Sequence, residues 1–163
     1  MAIPARIRDS LLSSSAGRLW VTAHMYERCL LVYSEPEWEP VLAKVQALPA
    51  GSEQVRKIQR RFMGQAVNLE MDANGRILVP PTLRDFAHLD KKLMLVGLGN
   101  KLELWNEDSW NALMDQSTDG DMPAELQNLS LKTVFEHLIH NLVLIDNLPF
   151  SPVSVHAESG DLF

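Results

Sequence analysis

The chain has a single cysteine among its 163 residues, Cys29, so an internal disulfide is excluded. Cys29 stands in the apolar run Cys29-Leu30-Leu31-Val32-Tyr33. No histidine or helix start lies nearby to lower its pKa, so it reads as strand packing rather than as a reactive thiol. No apolar run is long enough to span a membrane, and the N-terminus lacks the charged start, apolar middle and small-residue cleavage site of a signal peptide. A cytoplasmic location is expected. There is no glycine-rich phosphate loop. Asp85 with His88, the serines at 13–15 and the many carboxylates form no nucleophile, base and orienting group, so no enzyme, cofactor or small-molecule substrate is expected. His137 and His140 could share a helix face, but no third ligand stands in a matching context and no metal site is expected. Positive charge is also short: the net charge of -6 excludes coating of nucleic acid by bulk charge.

What is present is ordinary for a soluble globular protein, 46% hydrophobic and 22% charged, and long enough for one domain or two small intertwined units. Charge is segregated along the chain. Residues 52–64 carry Arg56, Lys57, Arg60 and Arg61 against Glu53, whereas 103–125 holds seven acids and no lysine or arginine. The basic stretch could touch phosphates, but a solvated face or an acidic neighbouring subunit is the stronger reading.

The organising stretch is 67–81, V-N-L-E-M-D-A-N-G-R-I-L-V-P-P. Val67, Leu69 and Met71 alternate with Asn68 and Glu70, the period of a half-buried strand. Asn74-Gly75 predicts a tight turn, because both residue types tolerate positive φ. Asp72 and Arg76 flank it, so the carboxylate can accept from turn amides or from the guanidinium and aim the arginine. Ile77, Leu78 and Val79 read as a second strand, stopped by Pro80-Pro81, and Pro81 suits the first turn of a helix over 82–88.

The sequence contains two copies of one unit. Ile3-Pro4-Ala5-Arg6-Ile7-Arg8-Asp9 matches Val79-Pro80-Pro81-Thr82-Leu83-Arg84-Asp85, and 30–38 matches 102–110, with a connection four residues longer in the first copy around 13–17. Each copy reads as strand, short helix, hairpin, helix. The hairpins are expected over 19–25 and 29–33, joined at Glu27-Arg28, and over 93–98 and 101–105, joined at Gly99-Asn100. Ser34 with Glu37 forms a capping-box pattern, Asn106 is the equivalent cap, and Ser52 caps a helix closed by Gly64, with Val55, Ile58 and Phe62 as its apolar stripe. Pro40 should kink or delay the helix that buries Trp38, Val41 and Val45. Residues 67–76 have no counterpart in the first copy, since those positions would precede Met1. Two readings are open, a start at an internal methionine or a naturally shortened chain. Either leaves an unpaired sheet edge in the first half. Beyond Asp115 an acidic loop, a short helix over 124–131 and an amphipathic helix built on Val134, Leu138, Ile139, Leu142 and Val143 are expected, with a disordered last dozen residues.

D-A-N-G-R-I-L-V-P at 72–80 followed by L-R-D at 83–85, I-P-A-R-I-R-D at 3–9, L-L-V-Y-S-E-P-E-W at 30–38 and L-E-L-W-N-E-D-S-W at 102–110 together resemble the MraZ family of bacterial transcriptional regulators, relatives of AbrB-type swapped-hairpin proteins. The resemblance covers roughly residues 1–131 and not the extension at 132–163. It implies an α+β fold of two intertwined AbrB-like (βαβ, swapped-hairpin) repeats, forming a pseudo-twofold β-barrel core with peripheral helices. The expected division is a first, N-terminally incomplete repeat at 1–51, a connecting basic helix at 52–66, a second repeat at 67–116, and a C-terminal helix and tail at 117–163. The resemblance also implies rings and repression of the operon for cell-wall synthesis and division proteins, through an Asp-x-x-x-Arg motif in each half. Here Asp72 and Arg76 carry that motif.

The expected partner is therefore double-stranded DNA of the chain's own promoter, bound by a nucleoid-associated homo-oligomer at tandem repeats. Arg76 can take two guanine acceptors in the major groove or clamp a phosphate, and Gly75 lets the backbone come close. Asp72, Asn74, Gly75, Arg76 and Arg84 are the candidate DNA-binding residues. The bland reading is a surface ion pair that closes a turn, and for Arg84 and Arg8 helix-surface pairs with Asp85 and Asp9. The alternative function is a ring-forming structural or interaction protein with weak or lost DNA binding. A one-copy antitoxin is disfavoured by the two-copy arrangement.

Overall fold

Prolines set both helix entries of the repeat. Pro4 precedes helix α1 (Ala5–Ser15), the fixed φ of the ring suiting the residue before a first turn. In the computed structural model, which describes residues 1–116 and the backbone of 154–158, two of the four extra residues of the first copy fall before β1, where the chain forms helix rather than loop, and the other two lengthen the connection that follows β1. Helix α1 runs on until Ala16, at φ 53°, and Gly17, at φ 80°, turn it off in left-handed conformations. Strands β1 (Arg18–Ala23) and β2 (Leu30–Ser34) follow, joined by 24–29. There the Nδ1 of His24 accepts from the backbone N–H groups of Tyr26 and Glu27.

Helix α2 (Glu35–Gln46) starts at Glu35 and runs through Pro40, so the expected delay does not occur. Ser34 makes no side-chain cap; its hydroxyl is buried and finds no hydrogen-bond partner among the described residues. Ser52 does cap α3 (Glu53–Gly64), accepting from the Val55 N–H at 3.3 Å, and Phe62 is the fully buried member of that helix's stripe. Then come β3 (Val67–Glu70), α4 (Pro81–Phe86), β4 (Lys92–Leu98), β5 (Lys101–Asn106) and α5 (Glu107–Met114), the last capped by the Asn106 carboxamide on the Ser109 N–H. Gly99, at φ 68°, makes the tight β4–β5 turn. The apolar run 77–79 is not a strand of the sheet; it lies beside the N-terminal residues, where the Ile77 N–H donates to the Met1 carbonyl at 2.9 Å.

A last strand, β6 (Ser154–Glu158), pairs antiparallel with β4. Two expectations fall here: the end of the chain is not wholly without structure, and neither β1 nor β4 is left with a bare outer side. The six strands lie in the order β3-β1-β2-β5-β4-β6, every neighbour antiparallel. This is an open sheet ending in β3 and β6, where a closed barrel was expected. The protein is thus α+β, and the repeat is visible in its register. Leu30 pairs with Leu104, Leu31 with Glu103 and Val32 with Leu102. Since Leu30 corresponds to Leu102 and Val32 to Leu104 in the repeat, a local twofold passes through the Leu31–Glu103 pair.

Both faces of the sheet are covered. On one, α1 and α4 bring Ile7, Leu11 and Leu83 onto Leu19, Val21, Leu30, Val32, Leu93, Leu95, Leu102 and Leu104, with Met1, Ile3, Ile77 and Val79 filling between them. At roughly 1.5–3 kcal/mol for each large apolar side chain fully buried, this layer is the main favourable term in folding. On the other face, α2 and α3 cover Leu31 and Tyr33 with Trp38, Val45 and Phe62, and α5 brings Trp110 and Leu113 near Met94, Val96, Trp105 and Cys29. Burial, with the Glu103 carboxylate second, pushes the Cys29 thiol far up, so it packs as a small apolar group. The helices expected over 124–143, with His137 and His140, lie outside the described residues.

Candidate nucleic-acid interface

At the end of β3 the chain reverses. The Asp72 N–H donates to the Arg76 carbonyl at 2.8 Å, and the Gly75 N–H donates to the Asp72 carbonyl at 2.9 Å. Gly75 takes φ 74°, which a residue with a Cβ adopts only under strain. Both oxygens of the Asp72 carboxylate are used. Oδ1 accepts from the backbone N–H of Asn74 at 2.9 Å and of Arg76 at 2.8 Å, and Oδ2 accepts from the Arg76 Nε at 2.9 Å. The backbone N–H of Arg76, followed by its guanidinium, holds the Asp72 carboxyl below the usual carboxylate range. The pair is far from buried, with 43% of the Arg76 side chain and 42% of that of Asp72 exposed. One carboxylate thus shapes the turn with one oxygen and orients the guanidinium with the other, through Nε.

The first copy of the repeat supports this turn from below. The Ile3 N–H donates to the Gly75 carbonyl at 2.8 Å, and Ala2 and Arg76 form an isolated antiparallel bridge. Arg8 of α1 packs its aliphatic stem so closely under Gly75 that a Cβ there would collide with it.

The structure therefore brings Asp72, Asn74, Gly75 and Arg76 into one turn. The side chain packed under Gly75 is that of Arg8. Arg84 sits half-buried on α4, its backbone N–H bonded to the Pro80 carbonyl. Arg8 and Arg84 correspond in the repeat, so the turn of the second copy receives the arginine of the first. Sequence reasoning had the repeat but not the crossing between copies, for which no local pattern exists.

The basic face of α3 is largely engaged in holding the fold. Arg56 donates to the carbonyls of Ala50 and Gly51, Lys57 pairs with Glu53, and Arg61 donates to the Met25 carbonyl at 2.7 Å. The guanidinium groups of Arg61 and Arg28 both lie over the Phe86 ring, 5.7 and 5.0 Å from its centre. Among the described residues no group of three or more histidine, cysteine, aspartate or glutamate side chains could hold a metal ion, and no helix is long and apolar enough to cross a membrane.

Fold and site together define a class: an α+β protein with a twice-repeated antiparallel sheet, which presents a carboxylate-held arginine at the tip of a tight turn. Known proteins resemble the chain in sequence. A family model described as "MraZ protein, putative antitoxin-like" matches residues 62–132. A protein of Saccharophagus degradans is 54% identical over 132 residues, covering 80% of this chain and 90% of the relative. Relatives from Marinobacter nauticus, 50% identical over 133 residues, and Pseudomonas aeruginosa, 48% identical over 136, cover 80% of this chain and 89% and 90% of their own lengths. All three are named transcriptional regulator MraZ. The chain belongs to the MraZ family.

Proposed function

We propose that this chain is a sequence-specific DNA-binding transcriptional regulator, a repressor of the operon for cell division and cell-wall synthesis. In this reading it acts in the cytoplasm on the nucleoid, as a ring homo-oligomer on tandem promoter repeats. The observation that carries it is the clamp of Asp72 on Arg76. A guanidinium fixed through Nε at an exposed turn has lost much of its rotamer freedom before it meets a base edge or phosphate, so less is lost on binding. The names of the relatives support regulation of transcription. The swapped-hairpin architecture, and the division into repeats at 1–51 and 67–116 with a connecting helix at 52–66 and a C-terminal part at 117–163, belong to the same proposal.

Asn74 and Gly75 let the backbone of the turn approach the groove, Arg76 reads or clamps, Arg8 lies behind the turn as a further cation, and Arg84 on α4 remains a candidate contact. A single turn of this kind binds weakly by itself. Several identical turns on a ring convert it to selective binding through effective concentration, with steep salt dependence.

The test is a salt-series titration of the chain and of Arg76→Ala on DNA from upstream of its own operon. Specific binding should weaken with salt, and the variant should lose about 1–3 kcal/mol per turn, the usual worth of a bidentate arginine contact. Asp72→Asn, which keeps an acceptor but removes the charge, should fall between the two. An oligomer of unchanged mass that is indifferent to DNA would reject this function in favour of a ring-forming scaffold.

A further inference from the structure

Strand β6 stands to β4 as β3 stands to β1. Leu19 and Leu93 occupy corresponding places, because each is the hairpin partner of the residue before the next helix, Ser34 in one case and Asn106 in the other. On the outer side, Leu19 pairs with Leu69 and Leu93 pairs with Ala157. Two residues further along, Val67 lies opposite Val21 and Val155 opposite Leu95. At the other end Glu70 lies opposite Arg18 and Glu158 opposite Lys92. The runs Val67-Asn68-Leu69-Glu70 and Val155-His156-Ala157-Glu158 therefore place valine and glutamate at equivalent register positions. In both, the glutamate stands opposite a basic residue in the register.

We propose that residues 154–158 are a donor strand, a further copy of the repeat's opening strand, which the outer edge of β4 accepts from its own chain. A strand edge presents unsatisfied N–H and C=O groups and takes up any segment of suitable pattern, from the same chain or another. The occupant here is named by sequence and register. It shares two of the four residues of β3, runs antiparallel like β3, and places its glutamate at the same register position as β3 does. Filled in this way, the β4 edge is closed to strand pairing with a second copy.

Cross-linking tests this directly. In a Cys29→Ala background, the pair Lys92→Cys with Glu158→Cys should oxidise to a disulfide, since register partners in a sheet lie within disulfide range. The pair Arg18→Cys with Glu70→Cys reports the same geometry at β1 and β3. When labelled and unlabelled protein are mixed before oxidation, the 92–158 link should join peptides of one chain. A mixed-label link, or no 92–158 link where 18–70 forms, overturns the proposal. A second measurement leaves the side chains of β4 untouched. Ala157→Pro removes a backbone donor and should lower hydrogen-exchange protection of β4 amides about tenfold or more while β1 keeps its protection. Replacing residues 154–158 by the sequence of 66–70 should preserve that protection. Unchanged protection in the proline variant rejects the donor strand, and loss of protection in the graft rejects the kinship with β3.

Discussion

On the β3-β1-β2 half of the sheet the outer face carries a continuous aromatic stack, Trp20 on Trp38 and Trp38 on Phe62, with ring centres 5.1 Å apart at each step. On the β5-β4-β6 half the corresponding positions hold Met94 and Trp110, and Trp110 meets Trp105 edge-on at 5.8 Å. Trp38 and Trp110 are the same residue of the repeat, yet Trp38 is 2% exposed whereas Trp110 is half-buried. The difference is α3. It has no counterpart over the second half among the described residues, and Phe62 is its contribution. At the centre of the sheet Leu31 faces its repeat equivalent Glu103, 8% exposed, whose carboxylate accepts from Trp105 Nε1 at 3.1 Å and from Lys101 Nζ at 3.2 Å. A repeat can thus keep its backbone while one copy takes an apolar covering layer and the other a buried ionic centre.

The largest expected effect comes from removing the covering layer. Phe62→Ala should cost about 3–5 kcal/mol in urea denaturation, the usual range for a buried aromatic, and Trp110→Ala clearly less. Equal losses would dissolve the distinction between the halves. Next is the ionic centre. Glu103→Ala leaves the Trp105 indole without its acceptor and should cost about 1–3 kcal/mol. Glu103→Leu, which gives the second copy the residue of the first, leaves the same indole unpaired but refills the volume, so it should cost less than Glu103→Ala. If both substitutions destabilise equally, the loss lies in the unpaired indole rather than in the volume.

Smaller effects appear with pH. Burial, with the charge of Glu103 second, pushes the Tyr33 phenol up to about 12 from an ordinary 10.0. Its contribution to stability is present below pH 10 and is lost as pH rises from 10 towards 12, because the unfolded chain ionises first. In Glu103→Leu a spectroscopic titration of Tyr33 should move down. His24 is shifted the other way, below 6.5, chiefly by burial. The unfolded chain takes up the proton first, so this contribution is present above pH 6.5 and is lost as pH falls below it. The amides of Tyr26 and Glu27, bonded to its Nδ1, should lose exchange protection over that range. Protection that is flat between pH 7 and 5 would show the loop to be held by other contacts.

Local features were legible in the sequence. Asn74-Gly75 and Gly99-Asn100 specify turns within a few residues, Ser52 and Asn106 cap the helices they precede, and Val67 to Glu70 alternates with the period of a half-buried strand. The two-copy pattern also predicted paired hairpins, and these are what meet at Leu31 and Glu103. Features that depend on distant partners were not legible. Ser34 has the sequence of a cap, yet its hydroxyl is buried between strand and helix with no hydrogen-bond partner among the described residues. Arg8 reaches Gly75 across most of the repeat, and α1 absorbs two of the four extra residues, with Ala16 and Gly17 turning it off later, while the connection between β1 and β2 takes the other two. β6 matches β3 at two of four residues in a serine- and proline-rich stretch, too short a signal until the register of β4 gives it an address.

The strand order also bears on synthesis. The three strands of the first half are all made by Glu70, early as the chain emerges from the ribosome, while the β5 partner of β2 and the rest of the shared core follow later. The second half acquires its outer strand only when Glu158 has been made, and the two halves join through β2 and β5 in between. Because domains form in the order in which they are translated, a nascent chain stalled between these points should hold a protease-resistant N-terminal half and a β4 edge open to intruders. Translation speed through residues 107–158 thereby becomes a determinant of how faithfully the sheet is closed.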